Sequence, residues 1–84
     1  MKPTVSVLIP MYNEESGIRK TLDSVYAQDY SDFEVIVVDD GSTDGCAAIV
    51  EMEYPAVILI RQENTGITGA LNNGLSSCRG RYIA

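Results

Sequence analysis

One stretch constrains this chain more than any other: Phe33 to Asp44, reading FEVIVVDDGSTD. Phe33, Val35, Ile36, Val37 and Val38 are apolar and mostly β-branched. A short run of that kind marks a strand buried on both faces, as in a parallel sheet. Asp39 and Asp40 follow where such a strand emerges, and the carboxyl edge of an open α/β sheet is where ligands bind. Gly41 permits a tight turn, and Ser42 or Thr43 can cap a following helix. Two carboxylates, an unhindered backbone and a helix N-terminus are therefore expected at one point.

The remaining residues alternate between strand and helix patterns. Thr4–Ile9 (TVSVLI) reads as the first strand, closed by Pro10, which cannot donate to a ladder. Asn13 reads as the N-cap of a helix with Glu14 and Glu15 in its first turn. Ile18, Leu22, Val25 and Tyr26 recur on one face of it. Its end is expected near Gln28, before the turn-like Asp29-Tyr30-Ser31-Asp32. After the strand Phe33–Val38, a second helix is expected from about Thr43 to Met52, with Ala47, Val50 and Tyr54 inward and Pro55 ending it. Val57–Ile60 is the third strand and Arg61–Thr65 a polar loop. A third helix is expected from about Gly66 to Ser77, with Ile67, Ala70, Leu71, Gly74, Leu75 and Cys78 at helical spacing. Arg79-Gly80 is a helix stop, and Arg81–Ala84 opens a fourth strand.

The order β-α-β-α-β-α-β predicts an α/β fold with a parallel sheet. Right-handed crossovers put the first two helices on one face if the sheet grows in one direction, and the best-known three-layer, Rossmann-like half-fold of this type then reverses, giving strand order 3-2-1-4 with the third helix on the opposite face. The 84 residues make one domain. A last strand of four residues, and a sheet face covered by one helix, read as the front part of a larger domain. Self-association is expected through the raw edge at Tyr82 and Ile83 or through the under-covered face.

Net charge is −6 with no histidine, so nucleic acid is not an expected partner, because phosphate backbones need a basic face. A phosphorylated ligand needs local donors or a bridging cation here. Cys46 and Cys78 fall at apolar helical positions and read as small buried hydrophobes. Without histidine they are a poor metal set, and they point to a reducing, cytoplasmic compartment. The run Val5–Pro10 is too short for a membrane span.

Three constellations can carry chemistry. Asp39 and Asp40 can accept an N–H from a base such as uracil, accept ribose hydroxyls, or hold a divalent cation. The plainer alternative is a solvated turn and helix cap. The first βα turn, Pro10–Gly17 (PMYNEESG), lacks both G-x-G-x-x-G and G-x-x-x-x-G-K-[ST], which argues against a dinucleotide cradle and a P-loop. It offers Tyr12 to stack on a base and Glu14 to accept a ribose hydroxyl; alternatively, Tyr12 packs and Glu14 complements a helix dipole. Asn64 and Gly66 stand at a helix N-terminus on the same edge, where backbone N–H groups can meet phosphate or base carbonyls. Asn72 and Asn73 lie mid-helix, an unfavourable place for Asn, which suggests a polar task for one of them.

Val5–Glu14 (VSVLIPMYNE), Val37–Asp44 (VVDDGSTD), Asn64–Gly74 (NTGITGALNNG) and Arg79–Ala84 (RGRYIA), in that order, resemble successive motifs of the family 2 glycosyltransferases with the GT-A fold. The resemblance covers nearly the whole chain. It implies the donor half of an inverting enzyme that moves a sugar from a nucleotide-sugar, usually UDP-linked, to an acceptor hydroxyl in cell-surface or extracellular polysaccharide synthesis. It places Pro10, Tyr12 and Glu14 in the nucleotide site, Asp39 and Asp40 at the base and ribose, and the Asn64–Gly66 loop beside them. Many members carry Arg or Lys where this chain has Leu71, so no contact is carried over to that position.

In that family an Asp-x-Asp metal motif follows the strand that opens at Arg81, and the catalytic base and acceptor site come later. Residues 1–84 are thus expected to be a nucleotide-sugar-binding subdomain cut before the metal motif, with no catalytic residue and no metal ligand of its own, inactive alone. Mg²⁺ or Mn²⁺ is expected in the full-length enzyme. The acceptor, a sugar or a lipid, is not specified, and membrane association of a longer protein stays open. The alternative is a noncatalytic nucleotide-binding or regulatory α/β module, complete as it stands. A phosphoacceptor receiver-like domain fits less well: it expects an acidic pair after the first strand and a later lysine, whereas no lysine follows Lys20.

Overall fold

The computed structural model describes residues 3–28, 32–80 and 82–83. Its elements are β1 (Val5–Met11), α1 (Ile18–Tyr26), β2 (Phe33–Asp40), α2 (Cys46–Glu53), β3 (Ile58–Gln62), α3 (Gly66–Leu75) and β4 (Tyr82–Ile83). The strands pair in parallel in the order β3-β2-β1-β4, the α/β arrangement expected.

β2 is the centre because its side chains suit burial on both faces. Every residue from Glu34 to Asp40 is buried. Alternate residues of a strand face opposite ways. Val35 and Val37 pack with Met11, Ile18, Leu22, Cys46, Ala47 and Val50, the layer made by α1 and α2. Ile36 and Val38 pack with Ala70 of α3, and with Leu8, Ile60 and Cys78 at the margin. Burial of each such aliphatic side chain contributes about 1.5–3 kcal/mol. α3 lies close against the sheet because of Gly74: a Cβ there would sit 2.9 Å from Val38 Cγ2 and closer still to Leu8.

Several boundaries depart from expectation, each for a physical reason. Pro10 does not close β1 but lies within it, opposite Val38. β4 pairs only with Val5 and Ser6, so the far part of β1 is an edge on that side among the described residues, where a proline is tolerated. β3 runs on through Arg61 and Gln62, which were expected in a loop, because β2 runs through its two aspartates and the register sets Arg61 opposite Asp39 and Gln62 opposite Asp40. α3 stops at Leu75, so Cys78 lies beyond the helix, with its thiol against the Gly74 carbonyl at 3.4 Å. Asp29, Tyr30, Ser31, Arg81 and Ala84, and the side chains of Ile67, Tyr82 and Ile83, lie outside the described residues.

Asn13 does not cap α1. That helix begins at Ile18 with Gly17 as its N-cap, and the Glu14 carbonyl accepts the N–H groups of Gly17 and Ile18 at 3.0 and 2.8 Å. α2 likewise begins at Cys46, not Thr43. Both starts are late because the residues ahead of them are engaged with each other across the sheet edge.

A buried polar cluster ties down the end of the sheet remote from that edge. Glu34 accepts the Ser6 hydroxyl, the Arg79 N–H at 2.7 Å and Arg79 Nε at 3.1 Å. The Gly80 N–H donates to Ser6 Oγ at 2.8 Å. Burial by itself would raise the Glu34 carboxyl; the Ser6 and Arg79 hydrogen bonds outweigh it and hold the group below its ordinary value. Arg79-Gly80, a helix stop by sequence, thus also closes a polar cluster with Ser6 and Glu34. A lone carboxylate inside an apolar run was the available signal.

Candidate functional site

The loops after β1 and β2 lock into one another at the carboxyl edge. Asn13 adopts a left-handed conformation with φ 50°, a region that Asn tolerates better than most residues. Its N–H donates to Ser42 Oγ at 2.9 Å, and its Oδ1 accepts the Thr43 N–H at 2.8 Å and the Asp44 N–H at 3.3 Å. One step on, the Glu15 N–H donates to Asp44 Oδ2 at 3.0 Å, and the Glu15 carboxylate accepts the Gly45 N–H. Asp44 also accepts from the Cys46 thiol and N–H, which hold its carboxyl below the ordinary range. The helix-capping side chains ahead of α1 thus serve the neighbouring loop.

Asp39 and Asp40 diverge. Asp39 has the parity of Val35 and Val37 and lies on the α1/α2 side; its Oδ1 accepts the Ser42 N–H at 3.1 Å, and Arg61 Nε stands 3.8 Å from Oδ2. Asp40 lies on the α3 side. Its Oδ1 accepts the Thr65 N–H and Gln62 Nε2, both at 2.8 Å, and its Oδ2 accepts the Gly66 N–H at 2.9 Å. The Thr65 N–H first, then Gln62, hold its carboxyl below the usual value. The two carboxylates thus turn to opposite faces of the strand, each held by its own donors. Among the described residues, no group of three His, Cys, Asp or Glu side chains could hold a metal ion.

Asp40 forms part of the wall of a pocket of ≈ 210 Å³ lined also by Pro10, Met11, Tyr12, Glu14 and Ala70. Tyr12 is 48% exposed at its rim and makes an aromatic face available to a planar ligand. Four residues singled out from sequence, Pro10, Tyr12, Glu14 and Asp40, are therefore brought together. Asp39, Asn64 and Gly66 are not in its lining. Asn64 instead lies against Gly41: a Cβ on Gly41, whose φ is +77°, would meet the Asn64 backbone nitrogen at 2.8 Å. At the helix start marked by Asn64 and Gly66, the N–H groups of Thr65 and Gly66 donate to Asp40.

Sequence reasoning missed Met11, Ala70, Gln62 and Thr65. The polar task suspected for the mid-helix asparagines falls to Asn73, whose Nδ2 donates to Gln62 Oε1 at 2.6 Å. Asn72 is exposed.

Residues 6–84 match the model of the family described as glycosyl transferase family 2. The glycosyltransferase GlyA of Streptococcus pneumoniae is 41% identical over 83 residues, covering 94% of this chain and 12% of that protein. Among solved structures, the mannosyltransferase PcManGT of Pyrobaculum calidifontis in complex with GDP-Man and Mn²⁺ superposes with a TM-score of 0.89 at 37% identity, covering 99% of this chain and 26% of that one. TarS of S. aureus in complex with UDP-GlcNAc gives a TM-score of 0.89 at 34% identity, covering 95% and 25%. The chain spans between 12% and 26% of the length of the curated relatives it matches first. No helix among the described residues is long and apolar enough to cross a membrane.

Proposed function

The chain belongs to glycosyl transferase family 2, and from that premise we propose that it forms the donor-nucleotide subdomain of an inverting glycosyltransferase. The donor is a UDP-sugar, and the acceptor is a hydroxyl of a growing cell-surface or extracellular polysaccharide. The observation that carries the reading is the pocket at the carboxyl edge, where an exposed tyrosine face and two carboxylates converge. Tyr12 stacks on the base, a contact open to any π-face. Asp40 accepts the ring N–H of the base. Glu14 accepts from ribose hydroxyls. Met11 and Ala70 give the pocket an apolar floor that excludes water from those hydrogen bonds.

One of the similar structures is a complex with GDP-Man and Mn²⁺. The described residues of this chain do not fit a cation by themselves, since Asp39 is committed to Ser42 and Arg61 and Asp40 to the start of α3. A Mg²⁺ or Mn²⁺ ion in the whole enzyme would need ligands from residues beyond these, as would the acceptor site and the base that deprotonates the acceptor hydroxyl. On this reading residues 1–84 supply the donor-binding part of the site. Unpaired thiols at Cys46 and Cys78 support a cytoplasmic setting, where nucleotide-sugars are used.

A ¹⁵N–¹H NMR titration with UDP, with and without Mg²⁺ and with ATP as control, tests the reading. Shifts centred on Tyr12, Glu14 and Asp40, with UDP preferred, are expected. A spectrum indifferent to every nucleotide would sink it and point to a module of another kind.

A further inference from the structure

Tyr12 and Glu14 line the pocket, and Asn13 between them does not. Asn13 is tied instead to the loop after β2: its N–H donates to Ser42 Oγ at 2.9 Å, and its Oδ1 accepts the Thr43 N–H at 2.8 Å and the Asp44 N–H at 3.3 Å. Its backbone is left-handed, with φ 50°. Such a conformation costs free energy and persists where the surroundings over-determine it, often beside ligands. The chain on either side is anchored independently. Met11 is buried and pairs opposite Asp39 in the sheet. The Glu14 carbonyl accepts the Gly17 and Ile18 N–H groups, and the Glu15 N–H donates to Asp44 Oδ2 at 3.0 Å. Glu14 is therefore held from the helix side whatever stands at position 13. Tyr12 lies on the other side of that position, and its side chain is 48% exposed, so core packing does not fix it.

Resting on the nucleotide reading above, we propose that Asn13 is a positioning residue: held by Ser42, Thr43 and Asp44, it fixes the backbone that presents the Tyr12 ring to the base. Three hydrogen bonds to residues outside the pocket hold the neighbour of the stacking ring in one conformation. A glycine at position 13 would visit left- and right-handed backbone alike. Tyr12 would then sample orientations away from the base, and binding would have to order it again. Preorganisation of this kind raises affinity by cutting the ordering cost, without any contact of its own to the ligand. It also accounts for a side chain suited to capping α1 being spent on the neighbouring loop.

A double-mutant cycle tests the proposal. UDP affinity in the presence of Mg²⁺ is read by amide chemical-shift titration on the unaltered chain, Tyr12→Leu, Asn13→Gly and the double variant. Glycine removes the side-chain acceptor but adopts φ 50° without strain, so the fold should persist, which the amide spectrum of the free chain checks. Asn13→Gly and Tyr12→Leu should each weaken UDP about tenfold, the scale of one base–aromatic stack. In the double variant the losses should not multiply, because Asn13 acts through Tyr12. Ser42→Ala, which removes the acceptor of the Asn13 N–H, carries the same cycle should Asn13→Gly not fold. Unchanged UDP affinity in folded Asn13→Gly would make Asn13 a structural tie alone, and losses that multiply would have it act apart from Tyr12. Either result overturns the positioning role and leaves the nucleotide reading standing. An unaltered chain that does not bind UDP overturns both.

Discussion

The side-chain oxygen of Asn13 accepts the N–H of Thr43 at 2.8 Å, so a residue placed to start one helix instead holds the loop that leads into the next. The two loops that frame the pocket are thereby one unit. Asn13 also sits at φ 50°, where a Cβ is strained. Asn13→Gly removes the hydrogen bonds but relieves the strain, and should cost about 1 kcal/mol. Asn13→Ala removes the bonds and keeps the strain, and should cost a further ~1 kcal/mol. Urea unfolding of the two variants checks the order, and a less damaging Ala than Gly would contradict it.

Two glycines with similar backbone angles should respond differently to alanine. Gly41 and Gly66 have φ of +77° and +84°. A Cβ on Gly66 meets nothing within 4 Å, whereas one on Gly41 meets the Asn64 backbone nitrogen at 2.8 Å. Gly66→Ala should therefore cost only the left-handed penalty, about 1–2 kcal/mol. Gly41→Ala should add the cost of overpacking against backbone, a further ~1–3 kcal/mol. Equal losses in thermal unfolding would show that the Asn64 loop yields freely.

The element types and their order were legible because β2 carries enough β-branched side chains to fill both faces, and because helix and strand patterns alternate around it. The pocket was legible in outline, since strand ends and loop starts fall at one edge. Its inner wiring was not. Asn13-Glu14-Glu15 reads the same whether the capping side chains turn to their own helix or to a neighbour's loop. Adjacent aspartates must face opposite ways, but which one meets the pocket depends on where α3 packs. Gln62 and Asn73 stand 11 residues apart and meet only because α3, after leaving β3, folds back to pack on β2 and β1.

Acid should weaken the fold through Glu34. Its carboxyl lies below the ordinary value in the folded chain, so the unfolded chain binds its proton first as pH falls. Its contribution is complete above the unfolded value, about 4.3, and is lost as pH falls through the lower folded value. Asp40 and Asp44 are shifted the same way and add to the slope. Glu34→Gln should lower stability near neutrality by about 1–3 kcal/mol, the loss of hydrogen bonds to a charged group, and flatten the acid limb. Denaturant midpoints between pH 3 and 7 measure both effects. A limb as steep as that of the unaltered chain would place the acid sensitivity elsewhere.

Divalent cations should matter for the diphosphate and not for the nucleoside. Glu14 and Asp40 line the pocket of a chain with net charge −6, so a bound diphosphate meets carboxylates and few cations. Arg19 and Arg79 are engaged with Glu53 and Glu34, and Arg61 lies near Asp39 on the far side of β2. Mg²⁺ coordinated to the diphosphate removes part of the repulsion without any protein ligand. UDP affinity should therefore rise roughly fivefold with Mg²⁺ at constant ionic strength, the scale of about 1 kcal/mol for one charge contact in water-like surroundings. Uridine, which carries the base and ribose alone, should bind equally well with or without the ion. Micromolar UDP binding in the presence of a chelator would contradict this account of the pocket's charge.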